Sequence, residues 1–365
     1  MTNRRKVRFA VVGWGHIGKR HAEMIERNED ATLVAIIDVK DPAQLNFPHH
    51  VPFFDSLETF LNDPLALTTD VINIATPNGF HAAQALLCLE ARKHVVLEKP
   101  IALSKQDAEK IIYKALNVHR HVFAVMQNRY SPPSAWLKQM VEGGTLGNIY
   151  MVQLNCYWNR DSRYYTPDSW HGSKHMDGGT LFTQFSHFID ILYWIFGDIT
   201  NIVSKLQSNN HQHLTDFEDT GYVHFDFING GSGSINYSTS VWDKNLESSI
   251  TIIAENGSIK IGGQYMDKVE VCHVKDYVMP VLAPTNPGND YGLYKGSAAN
   301  HHFIIENVVD VIINNAPITT NALEGLKVVE IIQRIYAGER SNRQQSLVDS
   351  QQSIAKSQQP TAISN

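Results

Sequence analysis

The chain has 365 residues, a net charge of −6 and 43% hydrophobic residues. This length is enough for two domains with sizeable cores, and the composition is ordinary for a soluble globular protein. The negative charge argues against nucleic acid as a partner, and no apolar run is long enough for a membrane span or a signal peptide. We therefore expect a cytoplasmic protein with neither nucleic acid nor membrane as a partner.

The first informative stretch is an apolar strand that ends in a glycine turn. Val7 to Val12 is interrupted only by Arg8, as expected of a central parallel strand covered on both faces. Gly13 to Gly18 then has the spacing G-x-G-x-x-G. Such glycines allow a tight turn, a close approach of the backbone to a pyrophosphate and close packing of the next helix. The free N–H groups and the positive dipole end of that helix suit the phosphates.

An acidic residue supports the same interpretation. A second predicted strand, Thr32 to Ile37, ends at Asp38, twenty residues beyond Gly18. A carboxylate there can accept hydrogen bonds from a ribose diol and would repel a 2'-phosphate, so NAD is favoured over NADP. Lys40 weakens this preference, because it can reach a phosphate. The predicted cofactor residues of this part are Asp38 and the turn residues Gly13, Trp14, Gly15, His16, Ile17 and Gly18.

Strands and helices alternate as far as Met126, which predicts an α/β domain over residues 1–126 with a doubly wound parallel sheet. Ligands of such sheets bind at the carboxyl ends of the strands. Besides Asp38, the polar residues that we expect at those ends, around one crevice, are Thr76, Asn78, Glu98, Lys99 and Gln127.

The pattern changes after Gln127. Strands from Ile149 to Trp158 and from Ile199 to His273 follow one another across turns such as Asn229-Gly230-Gly231, which predicts an antiparallel sheet. A helix from Asp177 to Phe196 interrupts the series. Two more, at 300–314 and 322–337, are expected to close an α+β domain over residues 127–340. Residues 341–365, rich in Gln and Ser, predict a disordered tail.

Several short motifs in this order resemble one known family. They are Ala75 to Asn78 with His81, Glu98-Lys99-Pro100, and Gly178-Gly179 before His187 to Asp190. Together they resemble the glucose-fructose oxidoreductase and inositol dehydrogenase family, Gfo/Idh/MocA. The resemblance implies a Rossmann domain followed by an open, mostly antiparallel sheet that often builds homodimers or homotetramers, and it adds His81 to the expected cofactor residues.

Lys99 and His187 are the candidates for catalysis. Oxidation of a secondary alcohol with NAD needs a hydride acceptor and a group that takes the hydroxyl proton. In the resembled family the lysine orients the substrate and tunes the proton transfer, and the histidine is usually the base.

The sequence departs from the family pattern at Thr183. Inositol-type dehydrogenases carry an aspartate four residues before the histidine, and this chain has Thr183 there. Either His187 relies on Asp190, one helical turn on, or it works with less electrostatic support while Thr183 hydrogen-bonds the substrate. Asp190 has the alternative role of satisfying backbone groups beneath the site.

Two stretches, Thr180 to His187 and Gly296 to His301, resemble the branch of the family that oxidises the 3-hydroxyl of UDP-linked N-acetylglucosaminuronate in surface-polysaccharide synthesis. The loop from Trp158 to His171 carries arginines and aromatic rings that suit a carboxylate and a diphosphate, or pack at a subunit interface. The predicted substrate residues are Lys99, Arg129, Tyr130, Arg160, Arg163, Thr183 and His187.

Three groups of neighbouring histidines invite a metal interpretation: His49-His50, His119 to His121 and His301-His302. We predict no metal site, because no carboxylate or cysteine accompanies them at ligand spacing and hydride transfer needs no metal. His301 is nevertheless placed to approach the active site from the last helices.

The sequence therefore supports two hypotheses of different classes. The first is an NAD-dependent dehydrogenase of a nucleotide sugar or, alternatively, of a free cyclitol or aldose. The second is a non-catalytic, NAD-bound sensor, because a Rossmann domain specifies the ligand and not the reaction.

Overall fold

The computed structural model describes residues 5–167, 169–292 and 294–338. The tail predicted from residue 341 onward lies outside the described residues. The two sheets predicted from the sequence are both present.

The first sheet is parallel, and its strands run in the order β3-β2-β1-β4-β5-β6. They are β1 (Val7–Val12), β2 (Ala31–Ile37), β3 (Phe53–Phe54), β4 (Val71–Ile74), β5 (His94–Leu97) and β6 (Val122–Ala124). The helices between them are α1 (His16–Arg27), α2 (Leu57–Leu61), α3 (Pro64–Leu67), α4 (His81–Glu90) and α5 (Lys105–Val118). β1 lies in the middle and is buried almost throughout, as its continuous apolar run predicts.

The second sheet has seven strands in the order β13-β12-β11-β7-β10-β9-β8. They are β7 (Ile149–Tyr157), β8 (Ile199–Gln207), β9 (Thr220–Phe227), β10 (Ser232–Ser238), β11 (Glu247–Ala254), β12 (Gly257–Gly262) and β13 (Lys268–Val274). β7 and β10 are parallel, and the other neighbours are antiparallel. The predicted fold class is confirmed.

One face of the second sheet is covered and the other is open. β9 alternates between buried and exposed residues, which is the pattern of a strand with one face in the core. The buried face packs on α6 (Pro132–Glu142) and α7 (Ser186–Phe196). The outward face carries exposed apolar side chains on four strands: Met151, Val203, Tyr222 and Ile253.

A short hairpin lies outside both sheets and was missed by the sequence analysis. It pairs β14 (Gly288–Asp290) with β15 (Lys295–Ala298). Its turn brings two tyrosines, Tyr291 and Tyr294, toward the first sheet.

The last two helices were assigned to the second domain, and for the first of them this was wrong. α8 (His301–Asn314) packs against α1. Its apolar residues share a core with β1, for example Ile304 and Val308 with Phe9 and Val11. A parallel sheet needs cover on both faces, and α8 supplies the second helix on the α1 face. Residues 322–338 form α9.

The helix predicted from Asp177 begins later and irregularly. Gly178 and Gly179 both have positive φ, at +90° and +134°, and the first turn, Leu181–Phe185, is π-helical. A π turn interrupts the regular hydrogen-bond ladder, and such turns often lie at functional sites.

The glycine turn after β1 has two different constraints. A Cβ on Gly18 would lie 1.7 Å from the carbonyl oxygen of Gly13, whereas a Cβ on Gly15 would meet no atom within 4 Å. Gly15 has a φ of −75°, which any residue can adopt. Gly18 is therefore required by packing, and Gly15 faces open space.

We expect Gly18→Ala to lower the free energy of unfolding by about 3 kcal/mol or more, because backbone must move to admit the methyl group. Gly15→Ala is the matched control and should change the free energy of unfolding by less than about 0.5 kcal/mol, while weakening NAD binding by about tenfold or more. Denaturant unfolding and calorimetric titration with NAD measure the two effects. Equal destabilisation by the two substitutions would contradict this account.

Candidate active site

A cleft of about 570 Å³ runs along the carboxyl ends of the first sheet. At one end it is lined by the glycine turn and by Asp38 and Lys40. At the other end it reaches Arg160, Trp170 and the tyrosines of the β14–β15 hairpin. The residues at the strand ends and the aromatic loop predicted from the sequence therefore meet in one crevice.

Asp38 is fixed at the cofactor end of the cleft. Its carboxylate accepts hydrogen bonds from the backbone N–H of Trp14 at 2.6 Å and of Lys40 at 2.9 Å. The Trp14 indole faces away from the cleft, is buried, and donates to the carbonyl of Asn46 at 2.8 Å. Trp14 is thus a backbone anchor for Asp38, and its ring has no place in the cleft.

These features fit NAD. The open space above Gly15, at the start of α1, admits a pyrophosphate close to free N–H groups. Gly13, Gly15, His16, Ile17 and Asp38 line the cleft there, so these residues would hold the dinucleotide. Gly18 does not line it, and its role is the packing contact with Gly13.

Glu98 is buried at the end of β5 between two histidines. The His21 Nε2 lies 2.9 Å from Glu98 Oε1, and the His301 Nε2 lies 3.7 Å from the same oxygen. Although burial alone would raise the pKa of Glu98, the hydrogen bond from His21 and the nearby His301 ring hold it well below its usual range. The cleft therefore contains a carboxylate that can accept hydrogen bonds from a ribose.

His21, Glu98 and His301 also form a group that could hold a metal, since one ligand atom from each lies within 4.8 Å of the others. The carboxylate beside His301 could not be found from the sequence, because Glu98 is distant along the chain. The His21–Glu98 contact already has the length of a hydrogen bond, and Asn73 Nδ2 lies 3.0 Å from His21 Nδ1. We therefore interpret the two histidines as residues that hold the Glu98 carboxylate in position.

Lys99 follows Glu98 and crosses to the second domain. Its Nζ donates to the backbone carbonyl of Thr183 at 2.7 Å, a carbonyl in the π turn. Burial lowers the pKa of Lys99 below its ordinary value, and the carboxylates of Glu98 and Asp177 oppose that shift. An amine with a lowered pKa can take part in proton transfer near neutral pH.

His187 lies on α7 beside the same cleft. Its Nε2 is 3.2 Å from Gln127 Nε2, at the end of the first sheet. Burial, followed by the positive charge of Lys99, lowers the pKa of His187 well below its usual range. The imidazole is therefore neutral and able to accept a proton.

The loop after β4 connects the two domains. The ring nitrogens of His81 lie 2.7 Å from the carbonyl of Pro100 and 2.8 Å from that of Thr76. The Asn78 amide donates to the Asp177 carbonyl at 2.9 Å and to the Thr183 hydroxyl at 2.7 Å. Thr76, Asn78 and His81 line the cleft. The hydrogen bonds of Asn78 and His81 described here hold the loop in place.

Arg160 is buried in the distal part of the cleft. Its guanidinium donates to Gln184 Oε1 at 2.7 Å and to the Lys295 carbonyl at 3.0 Å. It also lies about 5 Å from the centres of three aromatic rings, those of Trp158, Tyr164 and Tyr294. Among the described residues, no carboxylate forms an ion pair with it.

Three predicted substrate residues lie outside the cleft lining, which corrects their assignment. The Arg129 Nε and Nη2 atoms bind both oxygens of Asp190, at 2.8 and 2.5 Å. The Tyr130 hydroxyl hydrogen-bonds Thr319. Arg163 is exposed and pairs with Asp161 at 2.8 Å.

Asp190 is therefore committed to Arg129. The structure shows neither the expected support of His187 by Asp190 nor the alternative of satisfied backbone groups. The pair instead forms a buried ion pair, extended by Glu324, which lies 2.7 Å from Arg129 Nη1.

Several cleft or supporting residues escaped the sequence analysis. The position of His21 gave a weak indication of its role, because it lies one helical turn after Gly18 on the face that meets the sheet. Asp177 was seen only as the start of a helix. Gln184, Tyr291 and Tyr294 had no signal, since their approach to the cleft depends on the π turn and on the hairpin.

Comparison with known proteins identifies both domains. Residues 7–125 match the model of an oxidoreductase family with an NAD-binding Rossmann fold, and residues 135–260 match the GFO/IDH/MocA C-terminal domain. Myo-inositol 2-dehydrogenase from Thermotoga maritima is 26% identical over 196 residues, which cover 53% of this chain and 55% of that protein.

Two similar solved structures are WlbA dehydrogenases in complex with NADH and UDP-GlcNAcA. The one from Bordetella pertussis is 29% identical, with a TM-score of 0.79, and the match covers 93% of this chain and 98% of the other. The one from Chromobacterium violaceum is also 29% identical, with a TM-score of 0.80 and coverages of 94% and 96%.

Within the described ranges, no helix is long and apolar enough to cross a membrane. The matched domains and the dinucleotide cleft lead to one conclusion. The chain belongs to the Gfo/Idh/MocA family and is an NAD-dependent oxidoreductase of the sugar-dehydrogenase type.

Proposed function

We propose that this enzyme oxidises the 3-hydroxyl of UDP-linked N-acetylglucosaminuronate to a ketone, as a step in surface-polysaccharide synthesis. The observation that carries the proposal is Arg160, a buried cation in the distal cleft with no carboxylate partner among the described residues. The similarity to the WlbA dehydrogenases, which were crystallised with UDP-GlcNAcA, supports it.

The energetic argument concerns the charge of Arg160. Burying a cation without a counter-ion costs about several kcal/mol of desolvation free energy. Four hydrogen bonds from Arg160, to Gln184, Asn159, Asn245 and Lys295, leave one of its five N–H donors free. A substrate carboxylate supplies both the missing charge and an acceptor.

The proposed chemistry divides between two residues. NAD, when bound, accepts a hydride from the carbon that carries the hydroxyl. His187, which is neutral, takes the hydroxyl proton, and Lys99 donates a hydrogen bond to the same oxygen, so the product is a ketone. Burial lowers the pKa of Lys99 toward the neutral range, and the lowered pKa of His187 keeps its imidazole in the neutral form.

A free cyclitol or aldose is the second candidate, because a myo-inositol 2-dehydrogenase is among the relatives. Such substrates have no anion for Arg160. A panel of NAD with UDP-N-acetylglucosaminuronate, UDP-N-acetylglucosamine, myo-inositol and glucose, followed by absorbance at 340 nm, distinguishes the candidates. We expect reduction with the uronate alone. Reduction with a free polyol would discard the proposal, and no reduction with any of these sugars would show that the substrate lies outside this panel.

Arg160→Gln should weaken binding of the uronate by about 100-fold, because a charged hydrogen-bonded pair contributes about 2–3 kcal/mol. The KM for the uronate and the binding of NAD are measured together, and the NAD affinity should hold. Arg163→Gln is the matched control, since Arg163 is exposed and lies outside the cleft lining. If both variants raise the KM equally, Arg160 is not the anion site.

Lys99→Met should lower turnover by about 10²–10⁴-fold, the usual range for the loss of a proton-transfer group. NAD affinity should stay within about twofold. Lys174→Met, at an exposed position outside the cleft lining, controls for the loss of a nearby charge. Stopped-flow measurement of NADH formation checks the prediction, and unchanged turnover would remove Lys99 from the mechanism.

We also propose that the open face of the second sheet forms a homodimer or homotetramer. Exposed Met151, Val203, Tyr222 and Ile253 support this, because they place large apolar side chains on four strands of that face. Light scattering should give a mass of two or four chains, and Tyr222→Lys should reduce it. A monomeric mass for the parent protein would contradict the proposal.

A further inference from the structure

Asp177 is a buried carboxylate that the mechanism above leaves unused. It precedes Gly178-Gly179, is 1% exposed, and does not line the cleft. One carboxylate oxygen accepts the hydroxyl of Thr183, and the other accepts the backbone N–H of Gly172 at 2.9 Å. The two oxygens thus reach two different parts of the active site.

Thr183 is the junction between Asp177 and Lys99. Its hydroxyl is bound to Asp177 and also accepts the Asn78 amide at 2.7 Å. Its backbone carbonyl accepts Lys99 Nζ at 2.7 Å. Two consecutive contacts therefore link the Asp177 carboxylate to the Lys99 ammonium group.

Gly172 connects Asp177 to the aromatic loop. It follows Trp170 and His171, which line the cleft, and its φ of +87° is one that side chains rarely adopt. The bond from its N–H fixes the end of this loop to the start of the π turn.

We propose that Asp177 is the positioning carboxylate of this active site: through Thr183 it sets the place and charge of Lys99, and through Gly172 it fixes the aromatic loop. The acid that the site needs is thus supplied from six residues before Thr183. Asp177 does not line the cleft, so it acts through its neighbours.

The first consequence is electrostatic and needs no substrate. The Asp177 carboxylate opposes the lowering of the Lys99 pKa that burial causes. Asp177→Asn keeps the shape and removes the charge, so the pKa of Lys99 should fall further. The neutral amine at a fixed pH below that pKa rises about tenfold for each pKa unit.

The second consequence is a dependence on pH. Burial raises the pKa of Asp177 to about 6, so the carboxylate form, and with it turnover, should increase as the pH rises through about 6. The charged and titratable groups that interact with Asp177 are Lys99, Tyr164, Tyr165, Glu218 and Tyr336. Burial also raises the pKa of Glu218, to about 7, but Glu218 is held by Tyr237 and Tyr336 outside the cleft lining.

The third consequence is that the carboxylate can be moved. Because Thr183 Oγ1 contacts the Asp177 carboxylate directly, a carboxylate introduced at position 183 lies about 3 Å from the original one. Thr183→Asp alone places two acids in contact and should impair the enzyme. Combined with Asp177→Asn, it restores one acid and should recover activity.

The experiment measures acetylation of Lys99 by acetic anhydride at several pH values, with mass spectrometry, in the full-length protein and in Asp177→Asn. This readout needs no sugar, so it stands even if the proposed substrate is wrong. We expect faster acetylation of Lys99 at neutral pH in the variant, and unchanged acetylation of exposed Lys174. An unchanged Lys99 profile overturns the proposal.

Turnover is then measured against pH with the sugar that the panel identifies, and only this part rests on the proposed function. Asp177→Asn should lose the increase near pH 6 and lower kcat by about tenfold or more, whereas Glu218→Gln should keep the increase. The double variant Asp177→Asn/Thr183→Asp should regain most of the kcat. A purely structural Asp177 predicts no such recovery, so its absence in a folded double variant overturns the proposal.

If Asp177→Asn does not fold, Thr183→Val tests the same link from the other side. It removes the hydroxyl that holds Asp177 and leaves the carbonyl that binds Lys99. Because the Thr183 hydrogen bond lowers the pKa of Asp177, the increase of turnover near pH 6 should move to higher pH in this variant, and an unshifted increase overturns the proposal.

Discussion

The contact between the Lys99 ammonium group and the Thr183 carbonyl is the interaction on which the active site depends. It joins the end of a strand in the first sheet to the π turn that precedes α7 in the second domain. This carbonyl lies in a π turn, where the regular backbone ladder is interrupted. A regular α-helix at the same place would use that carbonyl within the helix.

Buried charges divide into structural and functional ones by whether the protein itself neutralises them. Arg129 is buried, and its charge is met by Asp190 and Glu324, so it carries no unpaired charge for an anionic ligand. Arg160 is equally buried but has polar and aromatic neighbours without a carboxylate among the described residues. The desolvation penalty therefore stays partly uncompensated at Arg160 and not at Arg129.

The sequence was sufficient for what depends on neighbours along the chain. The periodicity of the strands and the order of glycines predicted both sheets and the turn from Gly13 to Gly18, and Asp38 lies at the cleft as expected. Contacts between residues that are distant along the chain could not be predicted. From the sequence alone, Arg129 and Arg163 are as good candidates for substrate binding as Arg160. Only their partners in the structure, Asp190 and Asp161, distinguish them from it.

The same limit explains the helix that was assigned to the wrong domain. The apolar face of α8 is evident from its sequence, but nothing local shows which surface it covers. α8 covers the part of the first sheet beside α1. The need for cover at that place follows from the whole parallel sheet and not from the local sequence.

The departure at position 183 becomes intelligible once Asp177 and Asn78 are considered with it. A hydroxyl has one hydrogen to donate and two lone pairs to accept with. In Thr183 the hydrogen is committed to Asp177, and one lone pair accepts the Asn78 amide. Because Thr183 lines the cleft, the remaining lone pair is what this side chain can offer a substrate. A substrate atom beside Thr183 would therefore have to donate a hydrogen bond, as a hydroxyl or an amide N–H does, and under the proposed function the carboxylate would bind at Arg160 instead.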